Sequence, residues 1–329
     1  MIRRLALGVL ALLLLAAGAT GWAWFELTRL GPPVTTPVTV TVEPGKRFAD
    51  VARELEARGV LRQPMLLVAW ARFTQRDRQV RAGDFLVTTP LSPLGLLDRI
   101  TSRPDLHQLT IPEGLPTREV VTLLARAGFG DEESFYCLLD DPAFLAAEDL
   151  PTDNVEGFLF PDTYDFPLAT PPERIVRTML ARFRSVFTPE LTAKAAALGF
   201  TVEQAVTLAS LVEEEAKHAD ERRLVAAVFV NRLRRGIPLQ SDPTVLYGRD
   251  NGDRTLTRAD LHRPTPYNTY TIPGLPPTPI ANPGRASLEA AVDPAPVDYL
   301  YFVARGDGSH HFSTTLGEHN AAVAKYRGH

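Results

Sequence analysis

The sequence predicts an α+β protein made of a single N-terminal transmembrane helix, a small α/β lobe and a larger mixed α+β domain. Three observations predict it. Leu5 to Phe25 is an uncharged, mostly apolar run. A strand, tight turn, helix and glycine stop occur twice: Val40, Val42, Gly45, Val51, Leu55 and Gly59 are answered at one constant offset by Leu109, Ile111, Gly114, Val120, Leu124 and Gly128. From Pro171 onward amphipathic helices follow one another, and after Leu239 they give way to loops rich in proline, asparagine and tyrosine. The expected boundaries are 1–30 for a cytoplasmic tip and anchor, 31–105 for a linker and the lobe, and 106–329 for the larger domain.

At 1.5 Å per residue, the run from Leu5 to Phe25 covers about 30 Å, the thickness of a bilayer core. Arg3 and Arg4 precede it, and Trp22 and Trp24 stand at its far end, where aromatic belts lie. The positive-inside rule keeps the N-terminus in the cytoplasm and sends the rest across the membrane. A cleaved signal peptide ending at Ala17-Gly18-Ala19 is the competing reading, but the apolar run is long for one. Gly31 to Pro37 reads as a stiff linker. Val38 to Val42 alternates as a half-buried strand, and Pro44-Gly45 turns the chain. Phe48 to Arg58 reads as a helix stopped by Gly59. Another helix is expected near Met65 to Phe73, a return strand at Gly83 to Val87, and a short helix at Leu94 to Ile100. Two copies of the repeat are too few for a solenoid, which needs about three. They suggest two small α/β lobes, the second feeding into the larger domain; the first is read as a binding lobe or a spacer.

The chain has 329 residues, is 45% hydrophobic and carries a net charge of -4. That is enough for two domains, and no basic block points to nucleic acid. The single cysteine, Cys137, allows no intrachain disulfide, and its apolar context suggests a core thiol. Val155 to Phe166 is too aromatic for a solvent loop. Helices are expected at Pro171 to Phe187, Thr188 to Leu198, Leu224 to Leu233, Ser287 to Ala291 and Leu316 to Tyr326, with a strand at Tyr299 to Val303.

The most informative stretch runs from Thr201 to Asp242. Thr201 with Gln204 forms a capping-box pattern ahead of a helix. At 100° per residue, Val202, Val206, Ala209 and Glu213 fall within about 40° of one line. Glu214 shares its side with Glu203, Thr207 and Ser210 and should face water, and Glu215 sits on the margin. Glu213 alone extends the apolar row. A carboxyl against apolar neighbours loses solvation, which favours the protonated form a general acid needs. Spacing alone favours the plainer reading, in which Glu213 is the polar edge of a core helix, paired with Lys217 at i+4.

Four groupings of side chains are candidates for chemistry. Glu213 with Asn231 and the loop residues Gln240, Asp242, Tyr267, Asn268 and Tyr270 offers a carboxyl and a hydrogen-bonding, aromatic lining suited to sugars; the same loop residues are also common turn formers. His310, His311 and His319 lack the spacing of a zinc site, so no metal is expected. Ser210 and Ser241 lie in no nucleophile motif. Asp162 and Asp165 near Glu156 could supply a second carboxylate, or serve as turn caps.

L-A-S-L-V-E-E-E-A, F-V-N-R-L, L-Q-S-D-P-T-V-L-Y-G, P-Y-N-T-Y, I-P-G-L-P-P-T-P-I-A-N-P-G and Y-L-Y-F-V-A, together with E-G-F-L-F-P-D-T-Y, occur in this order. They resemble the YceG-like, or MltG, endolytic murein transglycosylases along the whole chain. The resemblance implies a bacterial inner-membrane protein with one span, a LysM-like lobe and a catalytic domain in the periplasm. It implies action on nascent peptidoglycan glycan strands, limiting their length, with peptidoglycan synthases as companions and no cofactor. The family's catalytic glutamate, the first acid of this S-L-V-E string, falls on Glu213. Two departures, E-E-E-A where a basic residue is expected after the first Glu and Thr265 where serine is more usual, bear on the rim of the site.

A lytic transglycosylase needs one carboxyl, because the attacking hydroxyl belongs to the substrate. Ordinary glycosidases need two. The linear sequence offers no convincing partner beside Glu213, which favours the transglycosylase over a water-using muramidase relying on Asp242 or Asp162. A membrane-tethered scaffold that only binds glycan is the non-enzymatic alternative.

Overall fold

The structure, a computed structural model, describes residues 2–34, 38–43, 45–150, 152, 154–167, 170–249 and 255–327. Thr35, Thr36 and Pro37 of the expected linker, and Pro44 of the expected turn, lie outside these. The chain divides into two compact units, Met1–Gln108 with Asp165–Thr170, and Leu109–Tyr164 with Pro171–His329.

In the first unit, helix α1 (Ile2–Thr28) contains a 22-residue stretch, Leu7–Thr28, with an 18-residue window of mean hydropathy 1.8. That is long and apolar enough to cross a bilayer. Its last turn already belongs to the lobe: Glu26 is buried, and Leu27 packs into the lobe's core. The lobe is β1 (Val38–Val42), α2 (Phe48–Ala57), α3 (Pro64–Phe73), β2 (Gly83–Val87) and α4 (Pro93–Thr101). β1 and β2 pair antiparallel, with Val40 opposite Phe85 and Val42 opposite Gly83. The alternation in V-T-V-T-V turns Val40 and Val42 inward, while Thr41 donates to Asp84 at 2.7 Å. Leu55, Leu67, Phe85, Leu96 and Ile100 close the core.

Strand β3 (His107–Thr110) shares a two-stranded ribbon with β4 (Thr163–Phe166). Between them lie α5 (Thr117–Arg126), α6 (Glu132–Leu139) and α7 (Pro142–Ala147). The internal repeat is real at the level of backbone geometry. Gly45 and Gly114 both take φ of 80°. The chain leaves α2 through Arg58 N to Glu54 O, Gly59 N to Glu56 O and Val60 N to Leu55 O, and leaves α5 through the matching bonds of Ala127, Gly128 and Phe129. Left-handed glycines at 59 and 128 make these exits possible.

Cys137 is exposed, not a core thiol. On α6 the buried positions are Phe135 and Leu139, four apart, and Cys137 lies midway between them on the opposite face.

The rest is helical: α8 (Pro172–Val186), α9 (Pro189–Ala197), α10 (Val202–Glu215), α11 (Arg222–Arg234), α12 (Asp242–Leu246) and α13 (Arg285–Val292). A hairpin of β5 (Tyr301–Ala304) and β6 (His310–Ser313) and helix α14 (Leu316–Arg327) finish the chain. The strand expected at Tyr299 to Val303 is displaced by one to two residues and gains β6 as its partner. α10 is the centre of this unit, packed by α13, α11, α9 and α12. Its capping box is present, with Thr201 Oγ1 accepting from Gln204 N and Gln204 Oε1 accepting from Thr201 N.

α10 is not amphipathic in the expected way. Every residue from Ala205 to Val212 is buried, Thr207 and Ser210 included. Their hydroxyls are satisfied along the helix, Thr207 donating to Glu203 O and Ser210 to Thr207 O. Ser210 also accepts from Ile280 N. A hydroxyl so paired can be buried at little cost, which is why polarity alone misplaced that face.

Candidate active site

α10 ends at Glu215, because Ala216 turns extended. Its three glutamates therefore sit at the helix's exit from the core with three environments. Glu214 is exposed, as expected, and lines a cleft of about 380 Å³ with Gly114, Arg118, Asp242 and Tyr247 among its walls. Glu215 accepts from Ser241 Oγ at 2.7 Å. Glu213, its side chain only 8% exposed, accepts from Gly284 N at 2.9 Å and meets Arg222 at 3.6 Å. Arg222 replaces the expected Lys217, since the break after Glu215 takes Lys217 out of the i+4 register. Glu213 does not rest on an apolar wall alone: an amide, a guanidinium and a second carboxyl surround it.

That second carboxyl is Glu113. It rests on Gly284, so closely that a Cβ there would collide with its carboxylate. Glu113 and Glu213 thus share one glycine, Glu113 over its α-carbon and Glu213 on its amide. Burial, then the charge of Glu213, holds the Glu113 carboxyl above the usual carboxylate range, with Arg222 opposing. The linear sequence gave no sign of Glu113, a hundred positions upstream in P-E-G. The only hint was the repeat, which marks Gly114 as a tight turn.

The scaffold explains the convergence. Asn282, fully buried, accepts from Leu159 N through Oδ1 and donates to Leu115 O through Nδ2. Its backbone also pairs with Gly114 and Leu115. Gly157, at φ 87°, lets the chain pass within contact of Pro279 and Val206. The strings E-G-F-L-F-P and A-N-P-G are therefore a clasp that sets the Glu113 turn against the end of α10.

Glu156, grouped in the sequence with Asp162 and Asp165, is buried and accepts from Thr117 N and Oγ1 and from the Tyr247 hydroxyl. Burial pushes the Glu156 carboxyl up, against those hydrogen bonds. Through Tyr247 it connects to the cleft wall.

Of the expected lining, Asp242 is in the cleft and accepts from the Tyr270 hydroxyl at 2.6 Å. Tyr267 bonds Thr278 and lies 4.7 Å from the Tyr247 ring, centroid to centroid. Gln240 is exposed, at φ 54°, and reaches toward Arg232. Asn268 and Asn231 are committed elsewhere. Asn268 is fully buried and donates to the carbonyls of Asp260, Leu261 and Arg263, which folds its own loop. Asn231 donates to Val297 O and Tyr299 O, fixing the approach to β5. Asp162 is held by Arg182 and the Thr163 amide, as a turn cap would be. His310 pairs with Glu221 at 2.8 Å.

This unit brings two carboxyls and an arginine together at a helix end, beside a cleft with acidic and aromatic walls, and such groups can give and take protons. Residues 40–325 match the YceG-like family, and the chain belongs to it. A Bacillus subtilis (strain 168) protein named endolytic murein transglycosylase is 31% identical over 308 residues, covering 88% of this chain and 85% of that protein. A Streptococcus pneumoniae serotype 2 (strain D39) protein of the same name is 28% identical over 324 residues, and the match spans 88% of this chain but 58% of that longer protein. The crystal structure of a yceG-like protein from Listeria monocytogenes superposes with a TM-score of 0.61 at 27% identity, covering 88% of this chain and 99% of that one.

Proposed function

We propose that this protein cuts nascent peptidoglycan strands internally, at the β-1,4 bond between N-acetylmuramic acid and N-acetylglucosamine, leaving a 1,6-anhydro end. It is a peptidoglycan lytic transglycosylase, a lyase. The observation that carries the mechanism is the fixed position of Glu213 at the end of α10, held by the Gly284 amide and Arg222. Glu213 gives its proton to the leaving oxygen as an oxocarbenium-like centre forms at C1. The sugar's own 6-hydroxyl then attacks C1, and Glu213 takes that hydroxyl's proton. Tethering the nucleophile in the substrate replaces a bimolecular step by an intramolecular one. The cleft beside Glu214, with Tyr247, Tyr267 and the Asp242–Tyr270 pair around it, is the lining for the sugars on either side of the bond.

On this reading α1 is a single span of the bacterial inner membrane, with its N-terminus cytoplasmic and everything after it periplasmic. The βααβ lobe is LysM-like and grips glycan, and the synthases that extend the strands are the natural companions. Glycan cleavage by wild type and Glu213→Gln tests the assignment. Loss of a general acid–base typically costs about 10²- to 10⁴-fold in rate, and a variant with near-full activity refutes it.

One observation favours a second reading. Glu113 supplies the second carboxyl that a water-using muramidase requires and that neither Asp162 nor Asp242, each bonded elsewhere, supplies. The two readings differ in the product's end group.

A further inference from the structure

Helix α3 is apolar on both faces. Pro64, Leu67, Val68 and Ala71 are buried in the lobe. The rest of the helix carries Met65, Leu66, Ala69, Trp70 and Phe73, which at 100° per residue occupy one arc of about 140°; Leu66 and Trp70 lean partly on the lobe's core, while Met65, Ala69 and Phe73 are exposed. Met65 is 70% exposed and Phe73 82%. The outer face of a soluble helix is ordinarily polar. A single exposed apolar side chain needs no explanation, but a contiguous apolar face marks a contact surface.

This face is continuous with the end of α1. The Trp70 ring meets Trp24 edge-on at 5.8 Å and lies 6.1 Å from Phe73. Trp22, Trp24 and Phe25 are exposed on α1, and the next two residues, Glu26 and Leu27, are buried in the lobe. Arg29 stands over the Phe25 ring, and Arg72 is exposed at the rim of the α3 face. Tryptophan at the end of a span, followed by arginine, is the arrangement found at headgroup depth.

We propose that the outer face of α3 lies in the headgroup interface of the same bilayer that α1 crosses, so that the lobe is pinned at the membrane surface. The occupant is lipid because the face merges with the end of a helix whose own surroundings are lipid. This is the behaviour of an interfacial helix, here delivered by a folded lobe. The inference rests on α1 being a membrane span.

The chain's three tryptophans make the test direct. The full chain is reconstituted in phosphatidylcholine–phosphatidylglycerol vesicles, with or without bromine on the upper acyl chain. Phe73→Trp is introduced with Trp22, Trp24 and Trp70 changed to Phe. A second variant keeps only Trp22, and a third keeps only Trp70, in case the first fails to fold by circular dichroism. The expected result is a bromolipid-induced loss of emission at position 73 comparable with that of Trp22, together with protection from aqueous iodide. Quenching by iodide and not by bromolipid overturns the proposal. Protection from both also overturns it, since protein then covers the face. If Trp22 itself is not quenched by bromolipid, the span reading fails and this inference with it. If Trp22 is quenched and position 73 is not, the span stands and the docking falls.

Discussion

Gly157→Ala tests the clasp that builds the site. At φ 87°, an alanine pays the left-handed penalty of about 1–2 kcal/mol. Its Cβ would also lie 2.5 Å from Pro279 Cβ and Cγ and 2.9 Å from Val206 Cγ1. Neither neighbour is the free end of a flexible side chain: one is a proline ring and the other belongs to buried α10. Overpacking of this kind costs about 1–3 kcal/mol. Stiffening the unfolded chain returns about 0.4–1 kcal/mol. The net expectation is a loss of about 1–5 kcal/mol. Gly199→Ala is the control, because Gly199 has φ 85° and nothing within 4 Å of a Cβ. It should lose about 1 kcal/mol, the backbone term alone. Hydrogen exchange on the full chain in detergent, read at the α10 amides, measures both. Each 1.4 kcal/mol is about tenfold in opening equilibrium, so the overpacking of about 1–3 kcal/mol should make Gly157→Ala exchange about 5- to 140-fold faster than Gly199→Ala. Equal rates in the two variants would refute the claim that the 157–279–206 contact is tight.

Two further predictions concern the carboxyls. Folding raises the Glu156 carboxyl above its unfolded range, so above that range the folded chain holds a proton that the unfolded chain has released. Stability must then fall as pH rises through the window between the two, by up to about 1.4 kcal/mol per pH unit. Glu156→Gln should lack that slope, and parallel stability–pH curves for the two proteins would contradict it. At Gly284, φ -75° and ψ 172° suit any residue, and the three heavy atoms nearest a Cβ are those of the Glu113 carboxylate, a movable end. Gly284→Ala should therefore change stability by no more than about 1 kcal/mol, yet lower glycan cleavage by displacing Glu113 and disturbing the amide that holds Glu213. Full activity in a folded Gly284→Ala protein would remove Glu113 from the site's working parts.

The helices, the first strand pair and the repeat were legible because their signals are local: alternation at Val38 to Val42, a capping box at Thr201, glycine stops at 59 and 128. Glu213 was legible as the one glutamate in line with the apolar row, and Glu214 as the exposed one. What surrounds Glu213 was not. Arg222 lies beyond a helix break that spacing rules do not foresee, and Glu113 and Gly284 arrive from either side of the sequence through Asn282's hydrogen bonds. Polar residue type misled at Thr207 and Ser210, and it did not foresee the bonds that Asn231 and Asn268 make. In each the polar atoms are spent on backbone groups, which only the folded chain reveals.

The measurement that bears most directly on the account is mass spectrometry of the ends released when wild type digests uncrosslinked glycan strands. The expected ends are 1,6-anhydro, lighter by one water than reducing ends, and they should disappear with Glu213→Gln. Reducing ends from the wild-type protein would contradict the transglycosylase reading and would make Glu113 the partner of Glu213 in a hydrolase.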